Sequence, residues 1–197
     1  MEVGWNKGSV WSGFLIGLAG WINLSVGGGI LGAVLFAIGL LAVVWFGSSL
    51  YTGKAGSWEF RYYAVWRDIG RLGLVIVGNV IGCLIISQIA AASGTIKAET
   101  LSVILSSRES STAMTTIARG IGCGFLMELA VWGWREKGSV LGIFLAVPGF
   151  ILAGFYHSIA DAFYYLVSPS STYLIPWLLT VLGNFIGCNL RRFICYY

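Results

Sequence analysis

The chain has 197 residues, of which 57% are hydrophobic and 10% charged, with a formal net charge of +4 and a mean hydropathy of +0.84. Soluble globular domains carry about a quarter charged residues, so a water-exposed globule is excluded. No basic run or aromatic–basic interleaving supports nucleic-acid binding, and Cys83, Cys123, Cys188 and Cys195, without CxxC or Cys/His pairing, read as small buried hydrophobes with no metal, cofactor or redox role.

Crossing the hydrocarbon takes roughly twenty apolar residues, which predicts helices over about 9–25, 30–52, 63–92, 111–134, 139–167 and 173–190. The leading MEVGWNKGS lacks a basic region feeding a cleavable apolar segment and reads as no signal peptide. Within the second helix lies Gly47-Ser48-Ser49-Leu50-Tyr51-Thr52-Gly53. The third contains GNVIG, from Gly78, and a charged loop with Lys97 and Arg108 follows it. The fourth carries Arg119, Gly124 and Glu128. In the fifth, Gly154-Phe155-Tyr156-His157-Ser158 sits mid-segment, and the sixth contains GNFIG from Gly183. Trp5, Trp11, Trp58, Trp134 and Tyr196, near span ends, fit an interfacial aromatic belt. Abundant glycine, 28 residues against three prolines, suits close helix–helix packing.

These elements repeat. GFLIGLAGW (Gly13 to Trp21) is answered by GFLMELAVW (Gly124 to Trp132), LGAVLFAIG by LGIFLAVPG from Leu141, and GNVIG by GNFIG. The two copies span about 9–92 and 111–190 of one transmembrane channel domain, and three spans per copy force the second to enter the membrane inverted. Gly and Ser clusters at matching places in the second and fifth helices predict that both are broken around a binding site. Irregular backbone is tolerated there only where protein or an aqueous path satisfies it. Asn79 and Asn184 then read as structural, each amide binding backbone freed in its own repeat, although contact with a solute is the other reading.

Orientation follows Lys and Arg. With the amino terminus inside, Lys7, Lys54, Arg61, Arg67, Arg71, Arg135, Lys137, Arg191 and Arg192 fall on the cytoplasmic side, while only Lys97 and Arg108 fall outside. Both termini are expected in the cytoplasm.

The ordered motifs resemble the formate/nitrite transporter family. GIFLAVPGFILAGFYHSIADAFYY (Gly142 to Tyr165) is similar to its fifth helix, GSSLYTG to its broken second helix, GNVIG and GNFIG to its third and sixth, and ARGIGCGFLMELAVW to its fourth. The resemblance implies an all-α, aquaporin-like fold in a prokaryotic inner membrane, assembled as a homopentamer with a pore in each subunit. It further implies conduction of small monovalent anions or their conjugate acids, such as formate, nitrite, lactate or hydrosulfide. His157 would be the central pore histidine, coupled to protons, with Thr52 as its hydrogen-bonding partner. Leu50, Phe36, Leu40 and Phe150 would form apolar constrictions, and Arg108 would stand near the outer vestibule to attract anions.

This chain departs from the pattern at Asp161 (commonly Asn), Tyr156 (often Glu), Gly124 (often a pore-facing Asn) and Glu128 (usually apolar). Gly124 and Glu128 share one helix face and are candidates for the pore lining. Glu128 reads either as a vestibule acid or as an interhelical bond, and Asp161 carries the same two readings. Arg108 is an anion-attracting cation or a loop charge paired with Glu109; Arg119 suits a helix or subunit contact. The alternative function is an aquaporin-like neutral-solute channel, although its paired Asn-Pro-Ala motifs are absent. Enzymatic activity is not expected, since no GxSxG elbow accompanies the sole histidine.

Overall fold

The computed structural model describes residues 8–56 and 65–194, apart from the side chains of Val65 and Phe193. The described residues form nine α-helices and one short 3-10 turn, with no strand among them. In chain order the helices are α1 (Ser9–Val26), α2 (Gly29–Trp45), α3 (Tyr51–Ala55), α4 (Val65–Ser93), α5 (Ala98–Glu109), α6 (Ala113–Lys137), α7 (Leu141–Leu152), α8 (Ser158–Val167) and α9 (Leu174–Ile194). Lys7, Arg61, Trp5, Trp58, Cys195, Tyr196 and the start of the expected third span lie outside the described residues.

Helices α1, α4, α6 and the segment containing α9 are long and apolar enough to cross a membrane. The expected spans 30–52 and 139–167 are each split, into α2 plus α3 and α7 plus α8. The chemistry of the two splits is the same. Gly47 (φ 60) and Gly154 (φ 69) turn the chain out of α2 and α7 in the left-handed region, where a Cβ would be strained. The amide of Ser48 then returns to the carbonyl of Val43 at 3.1 Å, and that of Phe155 to Phe150 at 2.9 Å. Such six-to-one bonds close a helix by satisfying carbonyls that the next turn would otherwise have claimed.

Packing repeats the pattern. α1 lies against α4 as α6 lies against α9, and α2 meets α7 between them. Each half-helix also reaches into the other copy: α3 packs on α6 and α9, and α8 packs on α1 and α4. The long pairs approach so closely that a Cβ at Gly13 would strike the backbone of Asn79, and one at Gly124 the backbone of Asn184. Gly124 therefore packs against α9, its Cα facing the backbone of Asn184. Outward, large apolar side chains such as Trp66, Ile85, Leu145 and Ile175 are exposed, a surface matched to lipid or another subunit and unsuited to water.

One element was not anticipated. The segment between the copies, expected as a charged loop, contains α5. Its polar composition masks a narrow inward stripe, with Leu105 buried and Leu101 and Ile104 packed against the core.

Replacing Gly124 with leucine should push α6 from α9 and destabilise the fold by about 1–3 kcal/mol, the usual cost of overpacking. Unfolding in detergent micelles measures it; an unchanged midpoint would mean that the crossing has slack.

Candidate functional site

The two breaks are held by matching amides. Asn79 on α4 accepts the Tyr51 N–H at 2.9 Å and donates to the carbonyls of Ser49 (3.0 Å) and Ser9 (2.7 Å). Asn184 on α9 accepts the Ser158 N–H at 2.8 Å and donates to Tyr156 (2.8 Å) and Gly120 (2.9 Å). Each amide uses both of its ends, binding the loop on one side and the first helix of its repeat on the other. One turn further on, each helix presents a buried cysteine. The Cys83 thiol donates to Ile159 on α8 and the Cys188 thiol to Thr52 on α3, at 3.4 and 3.3 Å. Asparagine thus fixes a repeat's own loop, and cysteine touches the half-helix of the other. Sequence reading missed this second role because a thiol in an apolar helix ordinarily needs no partner.

The loops bring His157 and Thr52 together, although they are far apart in the chain. Thr52 Oγ1 lies 3.2 Å from His157 Nε2, and the Ala160 N–H donates to Nδ1 at 3.2 Å, capping α8. With Nδ1 accepting, the proton of a neutral imidazole sits on Nε2, facing Thr52. Both side chains are buried, Thr52 wholly and His157 to within 2%. The ring stacks on Phe150 at 5.6 Å, and Phe150 meets Phe36 edge-on at 6.1 Å.

Several cavities lie around this group. A cavity of about 70 Å³ is lined by His157, Phe36, Phe150, Arg108, Asn23 and Tyr164, among others. Asn23, Ile104 and Ile151 also line a wider, more open hollow of about 430 Å³ bounded by Gly27, Gly28 and Glu99. A third cavity, about 230 Å³, is bounded by Leu40, Leu50, Lys54, Trp134 and Arg135. Among the described residues, none lines both this cavity and the one at His157. Phe36 and Leu40 lie one turn apart on α2, so the apolar residues divide: two aromatic rings wall the imidazole side and two leucines wall the other.

The charged candidates each make contacts within the chain. Arg108 is not an unpaired cation at the mouth, nor is it bound to Glu109. Its Nε and Nη2 donate to Asp161 Oδ1 at 3.1 and 2.8 Å, and Nη1 donates to the Ile104 carbonyl. α5 folds back over α8 and inserts the side chain, leaving Arg108 12% exposed and Asp161 fully buried. Glu128 points toward α9, where Arg191 Nη2 lies 3.2 Å from Oε1, the interhelical one of its two readings. Arg119 donates to Tyr156 Oη at 2.5 Å and to Ser107 at 3.2 Å, a contact between helices of one subunit. Tyr156, whose guanidinium neighbours Arg108 and Arg119 lie 4.5 and 5.1 Å from its ring centre, was missed as the hub of this cluster. Asn23, which donates to Tyr164 Oη at 3.2 Å, was missed as well. An isolated amide in an apolar span was the signal for it. Among the described residues, no group of three or more His, Cys, Asp or Glu side chains is placed to hold a metal ion.

A family model described as Formate/nitrite transporter matches residues 7–197. A Bacillus subtilis (strain 168) protein described as the uncharacterized transporter YrhG is 29% identical over 190 residues, covering 88% of this chain and 67% of that one. Among solved structures, a pentameric formate channel with formate bound is similar at TM-score 0.82 and 21% identity, over 94% of this chain and 92% of the other. An FNT family ion channel matches at TM-score 0.78 and 22% identity, over 94% and 85%. At these identities the structural likeness is one of fold.

Replacing Asn184 with leucine orphans the Ser158 amide and the Tyr156 carbonyl. The expected loss is about 1–3 kcal/mol for each buried group left unpaired, read as a lower unfolding midpoint in micelles. Stability equal to wild type would mean the loop is held by other contacts.

Proposed function

The chain belongs to the formate/nitrite transporter family, and on that premise we propose that it conducts small monovalent anions or their conjugate weak acids past His157. It is an integral membrane transport protein and not an enzyme. The observation that carries the reading is the buried Thr52–His157 pair, with a cavity lined by His157 and a second bounded by Leu50 and Gly53 near Thr52 in the chain.

A bare anion of carboxylate size entering a low-dielectric passage faces a penalty on the order of 20 kcal/mol in the idealised limit. Protonating a weak acid about three pH units above its pKa takes only about 4 kcal/mol, at ~1.4 per unit. A passage walled by Phe36, Phe150, Leu40 and Leu50 therefore favours the neutral acid. His157 is the group suited to exchange the proton, since imidazole is the side chain whose ordinary affinity lies near neutrality. Thr52 holds Nε2 in the direction of exchange, and the amino-terminal end of α8, where His157 caps the helix, favours a negative solute. The cavity beside the ring, about 70 Å³, is roughly twice the ~30 Å³ share of a liquid water. It suits formate, nitrite or hydrosulfide better than lactate.

The working unit is proposed as one channel domain per chain, five chains to an assembly, in a prokaryotic inner membrane with both termini in the cytoplasm. The pentamer is supported by the description of the first structural relative and by the exposed apolar faces. The orientation is supported by the Lys and Arg distribution.

Exchanging His157 for asparagine should remove the pH dependence of formate flux into proteoliposomes while the protein still folds; a profile identical to wild type would refute the proton role. Truncating Phe150 to alanine should raise lactate flux relative to formate several-fold in the same vesicles. An unaltered ratio would exclude that ring as the size filter.

A further inference from the structure

Asp161 is the acid that departs from its motif, and it lies fully buried against Arg108, one of the residues lining the cavity that holds His157. Its Oδ1 receives both Nε and Nη2 of Arg108, and Arg108 itself lines that cavity. The guanidinium has little freedom left. Nη1 is bound to the Ile104 carbonyl, and the plane lies 4.5 Å from the centre of the Tyr156 ring. An arginine in this place would be the natural trap for an anion, because it offers a planar fork matched to two oxygens. Here the fork is already filled by a carboxylate of the chain.

We propose that Asp161 is a specificity-determining residue: by occupying Arg108 it keeps the cavity wall electrically neutral, so the conduit selects the uncharged acid over its anion. This rests on the reading of the His157 cavity as the permeation route. An entering anion must either displace a buried carboxylate from the two N–H groups of Arg108 or pass without a counter-charge, and a neutral acid does neither. The charged and titratable groups around the pair are His157, Tyr156, Tyr164 and Tyr165, with Arg119 and Cys123 on α6. Arg119 is held on Tyr156 and Ser107, away from the carboxylate's bond to Arg108.

The test uses nitrate as a probe, because it is a small anion that does not take up a proton near neutrality. Titration calorimetry on the purified full chain in detergent should show Asp161→Asn binding nitrate at least about tenfold tighter than wild type, the scale of one charge-assisted hydrogen bond. The double variant Arg108→Gln/Asp161→Asn, again neutral, should return to the wild-type weakness. In proteoliposomes nitrate should inhibit formate flux through Asp161→Asn and leave wild type and the double variant unaffected. Equal nitrate affinity in wild type and Asp161→Asn overturns the proposal. So does inhibition of the native protein by nitrate, a measurement that stands even if Asp161→Asn fails to fold. Nitrate binding gained by Asp161→Asn in a protein that passes no formate would instead uphold the neutralising pair and remove the transport reading.

Discussion

Hydrocarbon offers no partner for a peptide N–H or C=O, and this chain abandons helical hydrogen bonding twice at membrane depth. Everything at the site depends on how those two interruptions are satisfied. The left-handed glycines at 47 and 154 end each helix with its own carbonyls occupied, and the amides of Asn79 and Asn184 take up the loop groups that remain. An amide suits this role because it carries a donor and an acceptor on one short planar arm. A carboxylate could not donate, and an alcohol has a single proton where each amide here donates twice. The close approach of α1 to α4 and of α6 to α9, secured by glycine, brings each amide within reach of its loop and of the neighbouring helix.

The halves are interlocked as well as similar. α3 lies on α6 and α9, α8 on α1 and α4, and the thiols of Cys83 and Cys188 each touch backbone contributed by the opposite copy. His157 belongs to the second copy and Thr52 to the first, so their 3.2 Å contact tests the whole registration of one repeat against the other. A small slip between the copies would separate them, whereas most helix–helix packing would tolerate it.

Much of the fold was legible in the sequence because duplication writes every structural necessity twice. The breaks announced themselves as glycine and serine in matching places, and Asn79 and Asn184 as identical Gly-Asn pairs. What duplication does not copy was harder to read. α5 joins the copies, has no twin, and hides its three inward apolar residues in a polar run too short and too charged to resemble a span. Arg108 therefore looked like a loop cation, and its partner Asp161 lies 53 positions away, chosen by the fold-back of α5 and not by any local pattern. Glu128 and Arg191, 63 positions apart, form another such pair. For Gly124, a motif position suggests a facing direction, but the crossing of α6 with α9 sets it against Asn184.

The frame is symmetric, but what it carries is not. Counting from the paired glycines, Leu50 takes in the first copy the place that His157 takes in the second, and the two line different cavities. The imidazole thus has no counterpart. The near-symmetric frame therefore holds two chemically different cavities, one bearing a titratable ring at the place where the other bears a leucine.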